Sequence, residues 1–359
     1  MSRQDRLGKL RMKMEAEGLD AAMILSPENR YYLSGFRGSA GALVITKEHE
    51  VLLTDFRYVD QALSEAPSFE VVNHQQQLIG TICQLLVDAS ARHVGIELEK
   101  MPVAQYLNIR ESSPHLSLSN VEPLLDSIRM YKDAEEIEFL RQGVAMCDKA
   151  FEHILGYIRP GMTEKQIGLE LEFFMRQCGA EGIKANHVIA SGERASLPHG
   201  QATDRFVQVG DFVKMDIGAR VNGYYSDFTR TVIIGHASPK QLEIYNIVKA
   251  AQEAALSAIG PGKVCSELDE VARSIIRNAG YGECFGHSLG HSIGLAVHEK
   301  PTMRSTDSSI LKPGMVITVE PGIYIKGFGG VRIEDLVVIT EDGHDNLTTA
   351  TKELQILAV

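Results

Sequence analysis

Short apolar stretches alternate with amphipathic segments over the first 127 residues of the chain. Apolar residues recur on one face of a charged opening helix, and four β-rich stretches follow it. These stretches are AAMILS (21–26), GALVIT (41–46), VLLT (51–54) and VGIEL (94–98). Because helix-like segments separate them, the pattern predicts a small α/β domain, residues 1–127, whose sheet is largely covered.

The chain becomes polar at RMYKDA (128–133), and we place a domain boundary there. Asp133 and Glu136 have the spacing of a capping box, which predicts the start of a long helix. Apolar residues then recur with a helical period as far as Ile158, before Pro160-Gly161 ends the helix. Such a stripe predicts that one face of the helix is buried against a flat neighbour.

The second domain, residues 128–359, combines further helices with long β-like segments. Two helices are predicted behind capping signals, and a third is rich in Ala, Ile and Leu. The capping signals run from Thr163 to Gln166 and from Ser266 to Asp269, the third helix covers about 241–259, and the β-like segments cover 206–235 and 314–340. This pattern predicts an α+β domain in which helices pack on an antiparallel sheet.

Composition narrows the range of functions. With 359 residues, 44% of them hydrophobic, the chain has enough material for two domains with buried cores. Its 47 acidic residues outnumber 36 basic ones, giving a formal charge of −11 without a basic run, so a nucleic-acid partner is disfavoured. Five separated cysteines without a CxxC pair argue against a disulfide framework and a cysteine-type zinc site.

The N-terminal segment gives no sign of export or membrane insertion. It lacks the apolar core of a secretory signal, and no apolar run in the chain approaches the ~20 residues that span a bilayer. We therefore expect a cytoplasmic protein without a membrane partner.

A predicted hairpin places two carboxylates on one face. The segment FVKMDIGARVNGYYSDFTRTVIIG (212–235) contains Asn222-Gly223, which suits a type I′ turn. This turn places Asp216 opposite Thr229, so Asp216 and Asp227 become diagonal neighbours with Cα atoms roughly 7–8 Å apart. Their charges would repel unless a cation lay between them, and a divalent metal meets that need. The alternative is a pair of acids on the solvated face of the sheet.

A second β segment, MVITVEPGIYIKGFGGVRIEDLVVIT (315–340), carries two more acids. Glu320 and Glu334 lie on strands that flank a Gly-rich turn near 327–330, and both are surrounded by β-branched residues. An unpaired charge in such surroundings is costly. Pro321 interrupts the strand directly after Glu320 and aims its carboxylate at a bend. Taken alone, each Glu could be an ordinary edge-strand charge.

The segment GHSLGHSIGLAVHE (286–299) contains His287, His291 and His298. It does not match the HExxH zinc motif, and it lacks the spacing of a phosphate-binding loop. Its recurring glycines favour an irregular strand or close backbone packing. A single histidine here would be interpreted as a core residue, but three of them lie between two pairs of acids, which favours a site.

These motifs together resemble a known family. The C-terminal half resembles the pita-bread metallopeptidases, and nearly the whole chain resembles the bacterial Xaa-Pro peptidases, aminopeptidase P and proline dipeptidase. The resemblance rests on RPGMTE (159–164), SGERASLPHG (191–200), MDIGARVNGYYSDFTRT (215–231), GHSLGHSIGLAVHE (286–299), KPGMVITVEPGIYI (312–325) and GGVRIED (329–335). In the N-terminal half it rests on NRYYLSGFRGSAGALVIT (29–46) and LLTDFRY (52–58).

The resemblance implies a fold and an assembly. The fold would be α+β, with a C-terminal pita-bread (creatinase/aminopeptidase-like) domain and a smaller N-terminal α/β creatinase-type domain. The N-terminal domain would mediate a homodimer and help to form the rim of the cleft. Tyr31, Phe36 and Arg57 are candidates for that rim, and core packing is the alternative interpretation of each.

The resemblance also implies a dinuclear metal site with five ligands. Asp216 would chelate one ion, Asp227 and Glu334 would bridge the two ions, and His291 with Glu320 would complete the second position. Ligation by oxygen with a single imidazole suits Mn(II), with Co(II) or Zn(II) as alternatives. Two divalent ions would cancel the four carboxylate charges.

The implied reaction is hydrolysis of an Xaa-Pro bond by a metal-bridging hydroxide. His199 and His298 would hold the peptide substrate and stabilise the oxyanion, and Glu320 would move a proton. Arg332 would orient Glu334 and neighbouring groups. His287 would contact the substrate. The remaining histidines are interpreted as surface or structural residues: His187, His236 and His344.

Two alternatives and one question of specificity stay open. The chain could be a noncatalytic pita-bread module that binds peptides, or an enzyme like the methionine aminopeptidases. Many proline dipeptidases carry an Arg shortly after the HE pair, whereas this chain has Thr302 there and Arg304 two residues later. Without that cation a dipeptide loses a partner for its free carboxylate, which favours a general Xaa-Pro peptidase over a strict dipeptidase.

Overall fold

The computed structural model describes residues 2–184 and 188–359. His187 lies outside these ranges. The chain divides into two compact units, Met1–Arg129 and Met130–Val359, a division two residues beyond the boundary we placed from the sequence. Within the described ranges, no helix combines the length and the apolar character needed to cross a membrane.

Helices and strands alternate in the N-terminal unit. Its helices are α1 (Arg3–Ala16), α2 (Pro27–Ser34), α3 (Val59–Glu65), α4 (Leu78–Asp88), α5 (Val103–Ser112) and α6 (Glu122–Arg129). Its strands are β1 (Ala21–Ile24), β2 (Ala42–Thr46), β3 (Glu50–Thr54), β4 (Glu70–Asn73), β5 (His93–Ile96) and β6 (Ser117–Asn120). They form one mixed sheet in the order β4-β3-β2-β1-β5-β6.

The four predicted strands are the four central strands of this sheet. β1, β2, β3 and β5 are almost entirely buried, which explains their continuous apolar character. The edge strands β4 and β6 are largely exposed and lack an apolar pattern, so the sequence did not predict them.

The three residues proposed for the cleft rim differ in exposure. Arg57 is exposed and pairs with Asp55 at 2.8 Å, and Tyr31 is half-buried. Phe36 is only 1% exposed, and its ring packs edge-on against Tyr58 with 6.2 Å between centroids. For Phe36 the alternative interpretation, core packing, therefore holds, because its ring belongs to the packed interior of the N-terminal unit.

The C-terminal unit is α+β. Its helices are α7 (Ala134–Leu155), α8 (Glu164–Gln177), α9 (Pro239–Ala258) and α10 (Cys265–Asn278). Its strands are β7 (Gly182–Ile183), β8 (Val188–Ser191), β9 (Phe212–Ile217), β10 (Ala219–Val221), β11 (Tyr224–Tyr225), β12 (Phe228–Ile234), β13 (Gly290–Ser292), β14 (Glu299–Met303), β15 (Val316–Val319), β16 (Gly322–Ile325), β17 (Gly329–Arg332), β18 (Asp335–Ile339), β19 (His344–Asn346) and β20 (Ile356–Leu357). Short 3-10 helices cover Gly192–Ser196 and Gly282–Cys284.

Two helix pairs cover the sheets of this unit. α7 and α8 pack against the sheet β20-β12-β9-β8, where the rings of Phe151 and Phe228 lie 5.6 Å apart. α9 and α10 share a second core with strands of the sheet β14-β13-β15-β18-β19. The apolar helix faces are thereby buried, and the carboxylate-bearing strands are fixed between rigid layers.

The helix starts confirm two of the three predicted caps. Asp133 and Thr163 both cap their helices through complete capping boxes. The prediction for Ser266 was wrong, because α10 already begins at Cys265. Its presumed capping partner, Asp269, is fully buried and instead accepts the backbone N–H of Leu289 at 2.9 Å.

Helix α7 also ends earlier than predicted. Its last residue is Leu155, although the apolar period continues to Ile158. Gly156 forms the C-cap, and the 1% exposed Ile158 still packs into the same core from the following turn. The periodicity thus identified the buried residues correctly but placed the end of the helix one turn too late.

The hairpin register confirms the sequence prediction. Asn222 and Gly223 have φ of 47° and 83°, as a type I′ turn requires, and Asp216 pairs with Thr229. The ladder is interrupted at Gly218, where an added Cβ would lie 2.3 Å from the carbonyl oxygen of Ser226. This close approach places Asp227 directly before β12 with its side chain toward Asp216.

Gly290→Ala should destabilise the protein by about 1–3 kcal/mol, the usual cost of forcing extra volume into a packed interior. A Cβ at this position would lie 1.9 Å from the carbonyl oxygen of Thr318, so the strand that carries His291 would have to shift. Gly286→Ala is a matched control, since its Cβ would have nothing within 4 Å. Urea unfolding measures both variants, and equal stability would contradict the close-packing interpretation.

Candidate metal centre

The predicted site residues surround one cavity of about 590 Å³ in the C-terminal unit. Its described lining includes every one of them except Glu334, which is 1% exposed and lies next to the cavity. The lining members are His199, Asp216, Asp227, His287, His291, His298, Glu320 and Arg332. Residues that are far apart in the sequence are therefore brought together as the sequence analysis expected.

Three carboxylates form the centre of the site. One oxygen from each of Asp216, Asp227 and Glu334 lies within 4.8 Å of the other two. Glu334 accepts a hydrogen bond from the Thr229 hydroxyl at 2.7 Å through Oε2. Its other oxygen, Oε1, is buried and has no hydrogen-bond partner among the described residues. A buried carboxylate oxygen without a partner is expensive unless it binds a cation.

Three of the four acids occupy interruptions of the strands, whereas Asp216 lies within β9. Asp227 stands just before β12, Glu320 lies between β15 and β16, and Glu334 lies between β17 and β18. The sequence analysis placed both glutamates within strands, whereas each follows or precedes a strand by one or two residues. Pro321 explains the break after Glu320, because proline cannot donate to the ladder.

Two cationic side chains contact these acids. Lys184 donates hydrogen bonds from Nζ to both Asp216 and Asp227. Arg332 donates from Nη2 to Asp216 and from Nε to the Thr229 hydroxyl at 3.2 Å. Arg332 therefore contacts Asp216 directly and is linked to Glu334 through the Thr229 hydroxyl. Its expected role, orienting Glu334 and neighbouring groups, stays a prediction.

The carboxylates have opposite pKa shifts. Burial raises the pKa of Glu334 well above its usual value, and the nearby Asp227 and Glu320 raise it further. Burial also raises the pKa of Asp227, although Lys184 opposes the shift. For Asp216, burial is outweighed by Lys184 and Arg332, which lower its pKa. The site therefore holds more negative charge than its own cations stabilise.

His291 and Glu320 form the other side of the centre. His291 Nε2 lies 3.3 Å from Glu320 Oε1 and 4.0 Å from Asp227 Oδ2, while Nδ1 donates to the Ser292 carbonyl at 3.0 Å. The hydrogen bond from Nδ1 orients the ring so that Nε2 faces the cavity. Burial favours neutral forms, but the mutual contact lowers the pKa of Glu320 and raises that of His291.

The outer histidines lie around this centre. The rings of His298 and His291 are 4.5 Å apart, and burial together with His291 lowers the pKa of His298. His287 Nε2 accepts from the Tyr324 hydroxyl at 2.8 Å, since Nδ1 donates to the Ser288 carbonyl, and the Tyr324 oxygen accepts from Arg332 Nη1 at 2.9 Å. His199 is exposed at the cavity, directly after Pro198.

The donor set fits divalent metal ions. Five side chains offer carboxylate oxygens and one imidazole nitrogen, which is the oxygen-rich combination that Mn(II) accepts well. The partnerless Glu334 Oε1 supports the same conclusion, since a metal would supply its missing partner.

Sequence reasoning missed several polar groups of the site. Lys184 follows the two-residue strand β7, which no local pattern marks, and its neighbour in the sheet, β10, is distant in sequence. Thr229 was identified as a cross-strand partner but not as a donor to Glu334. Tyr324 alternates with apolar residues in β16 and is indistinguishable from a core residue in the sequence.

The chain belongs to metallopeptidase family M24. It matches the description Metallopeptidase family M24 over residues 138–341 and the description Creatinase/Prolidase N-terminal domain over residues 6–131. This confirms the predicted fold class, a pita-bread domain preceded by a creatinase-type domain. Membership makes the chain a hydrolase that uses divalent metal ions.

Three relatives are similar over nearly their full length. An uncharacterized peptidase, YqhT of Bacillus subtilis, is 42% identical over 98% of this chain and 100% of its own. The Xaa-Pro dipeptidase from Bacillus anthracis has a TM-score of 0.95 at 39% identity, covering 99% of this chain and 100% of that one. The X-Pro aminopeptidase from Thermotoga maritima has a TM-score of 0.92 at 38% identity, covering 98% and 99%.

Adding Mn(II) to chelator-treated protein should raise its melting temperature, because an ion that binds only the folded state stabilises it by about 2.7 kcal/mol at 100 times Kd. Glu334→Gln should lose most of this rise, since it removes a charged ligand. Glu341→Gln, at an exposed position, is the control. Differential scanning fluorimetry measures the effect. A full manganese response in Glu334→Gln would argue against this centre.

Proposed function

We propose that this chain is a dinuclear-metal peptidase that hydrolyses the Xaa-Pro bond at the N-terminus of peptides or in Xaa-Pro dipeptides. The main support is one observation, that Asp216, Asp227, His291, Glu320 and Glu334 converge around a single cavity. The relatives described as an Xaa-Pro dipeptidase and an X-Pro aminopeptidase point to proline-containing substrates.

The five converging residues would hold the metal ions. Asp216 and Asp227 would serve one position, His291 and Glu320 the other, and Glu334 with Asp227 would be shared. When bound, divalent ions lower the pKa of water and polarise a carbonyl oxygen, which supplies a nucleophile at neutral pH. We propose Mn(II) as the ion, on the basis of the oxygen-rich donors.

The histidines that line the cavity would handle the substrate. His298 lies next to His291, and burial and His291 lower the pKa of its ring, which favours the neutral imidazole. A neutral imidazole can donate one hydrogen bond to a carbonyl oxygen as negative charge develops there. His199 is exposed at the same cavity and would hold the peptide, and His287, which also lines the cavity, would contact it.

Glu320 and Arg332 would act in proton transfer and in positioning the carboxylates, respectively. The Glu320 carboxylate accepts from the Thr318 hydroxyl at 3.1 Å and lines the cavity, so it could accept a proton and pass it to the leaving amine. Arg332 is 3% exposed and holds Asp216 and Thr229. It would act as a positioning residue for the carboxylates rather than contact the peptide.

The cavity offers no clear basis for a strict preference for dipeptides over longer peptides. Thr302 lines it, but its hydroxyl donates to Asp307 at 3.0 Å. Arg304, two residues later, is exposed. A dipeptide carboxylate would gain no charge-assisted bond from Thr302, so discrimination against longer peptides should be weak.

We also propose that the chain forms a homodimer through its N-terminal unit. Exposed Arg57 and half-buried Tyr31 remain the candidate contacts, and Phe36 is withdrawn.

Asp227→Asn should lower kcat/KM for an Xaa-Pro-Yaa tripeptide by more than about 100-fold, beyond the 10- to 100-fold loss typical of removing an outer partner of a metal ligand. The reason is that the amide is uncharged and binds divalent ions poorly. Asp204→Asn is the matched control, because Asp204 is 81% exposed and pairs with Lys165 at the surface. Assays at saturating Mn(II), with circular dichroism to check folding, measure the loss. Wild-type turnover in a folded Asp227→Asn variant would contradict the proposal.

A length series compares Xaa-Pro with Xaa-Pro-Yaa and longer peptides, using Mn(II), Co(II) and Zn(II) in turn. We expect kcat/KM values for dipeptide and tripeptide within about tenfold of each other. The reason is that a charge-assisted bond to the dipeptide carboxylate, worth ~1.5–3 kcal/mol, is missing here. A much stronger preference for dipeptides would point to a carboxylate partner that the cavity lining does not suggest. No hydrolysis of any member with any ion, despite metal uptake, would favour the noncatalytic peptide-binding module.

A further inference from the structure

A lysine ammonium stands among the proposed metal ligands. Lys184 Nζ donates to Oδ1 of Asp216 and to Oδ1 of Asp227, and its side chain is only 12% exposed. These are oxygens that would bind an ion shared between the two aspartates. The family resemblance gives no role to this lysine, and the sequence analysis did not select it.

The backbone of Lys184 is held in place by the hairpin. Its N–H donates to the Gly218 carbonyl at 2.7 Å, and β7 immediately before it pairs with β10. A Cβ added at Gly218 would lie 3.1 Å from the Lys184 Cβ, so the two chains are in close contact. The backbone is therefore anchored, while the four-carbon side chain can move without it.

The charges of the centre indicate that either the Lys184 ammonium or a metal ion, but not both, occupies the position between Asp216 and Asp227. The four carboxylates carry −4, and Lys184 with Arg332 returns +2, so a single divalent ion would neutralise the remainder. A second ion at Asp216 and Asp227 would have to approach the fixed ammonium at the same oxygens. Like charges at such distances in a buried site repel strongly.

We propose that Lys184 is a built-in cation that competes with a divalent metal ion for Asp216 and Asp227. An ion enters this position only when the ammonium leaves it, and the lysine keeps its proton and moves into the cavity that it already lines. The exchange therefore forms and breaks only ionic contacts and transfers no proton. The proposal rests on the metal centre of the proposed function, but it concerns how the ion is admitted rather than the reaction.

The consequence is that the Lys184 side chain limits the affinity of one position for a metal ion. The position made by Asp216 and Asp227 should fill only at higher metal concentration than it would without Lys184. The position at His291 and Glu320 lacks an ammonium contact among the described residues and should be much less affected.

Lys184→Met tests the competition, because methionine has similar length and no charge. Chelator-treated protein is titrated with Mn(II), and the free ion is followed by its electron paramagnetic resonance signal. The Lys184→Met variant should bind one of its ions at least about tenfold tighter than wild type does, a change of about 1.4 kcal/mol. Lys184→Arg keeps the charge and should bind manganese within about threefold of wild type. Lys165→Met removes a 53% exposed lysine that pairs with Asp204 and should behave as wild type. Unchanged manganese affinity in Lys184→Met would overturn the proposal.

A second measurement uses the wild-type chain and does not depend on the variant folding. Amine-reactive labelling, quantified by mass spectrometry at Lys184, should be slow without metal and increase severalfold at saturating Mn(II), while labelling of Lys165 stays constant. Equal labelling of Lys184 in both conditions would overturn the proposal. Because neither readout involves peptide hydrolysis, an inactive enzyme that still shows both effects would refute the proposed function and leave this inference standing. An active enzyme that shows neither would do the reverse.

Discussion

The mutual repulsion of four carboxylates in one cleft is the constraint on which the centre of the C-terminal unit depends. Asp216, Asp227, Glu320 and Glu334 are all largely buried, and such a group stays ionised only where cations face it. Lys184 and Arg332 compensate part of the charge. The remainder appears as raised pKa values for Asp227 and Glu334 and as a partnerless Glu334 oxygen. A centre like this stabilises the fold poorly by itself and binds cations well.

Interrupted strands make this concentration of charge possible. A regular strand would turn successive side chains to opposite faces, and its neighbours would fill the space between the acids. The close approach at Gly218 and the break at Pro321 instead place Asp227 and Glu320 at strand ends. Helices α7 to α10 bury their apolar faces in the two cores behind the sheets, and this packing holds the strand ends in place. Rigid packing therefore keeps the carboxylates close together, although their mutual repulsion alone would drive them apart.

The sequence predicted those parts of this arrangement that local rules control. The Asn222-Gly223 turn fixed the register of the hairpin, and with it the shared face of Asp216 and Asp227. The capping boxes at Asp133 and Thr163 correctly marked two helix starts. Local rules did not predict contacts between distant segments. Lys184 reaches the acids from the end of a two-residue strand, and Arg332 is linked to Glu334 through the Thr229 hydroxyl. The roles of the outer histidines came from family resemblance rather than from local pattern.

The central claim is that this carboxylate cluster is a two-ion metal centre. A crystal structure of the Mn(II)-soaked protein, with anomalous difference maps collected on either side of the manganese absorption edge, tests it most directly. The account predicts one peak beside Asp216 and Asp227, with the Lys184 ammonium displaced, and a second beside His291 and Glu320, with Glu334 between them. Peaks elsewhere on the chain, or none in this cleft at saturating manganese, would contradict it.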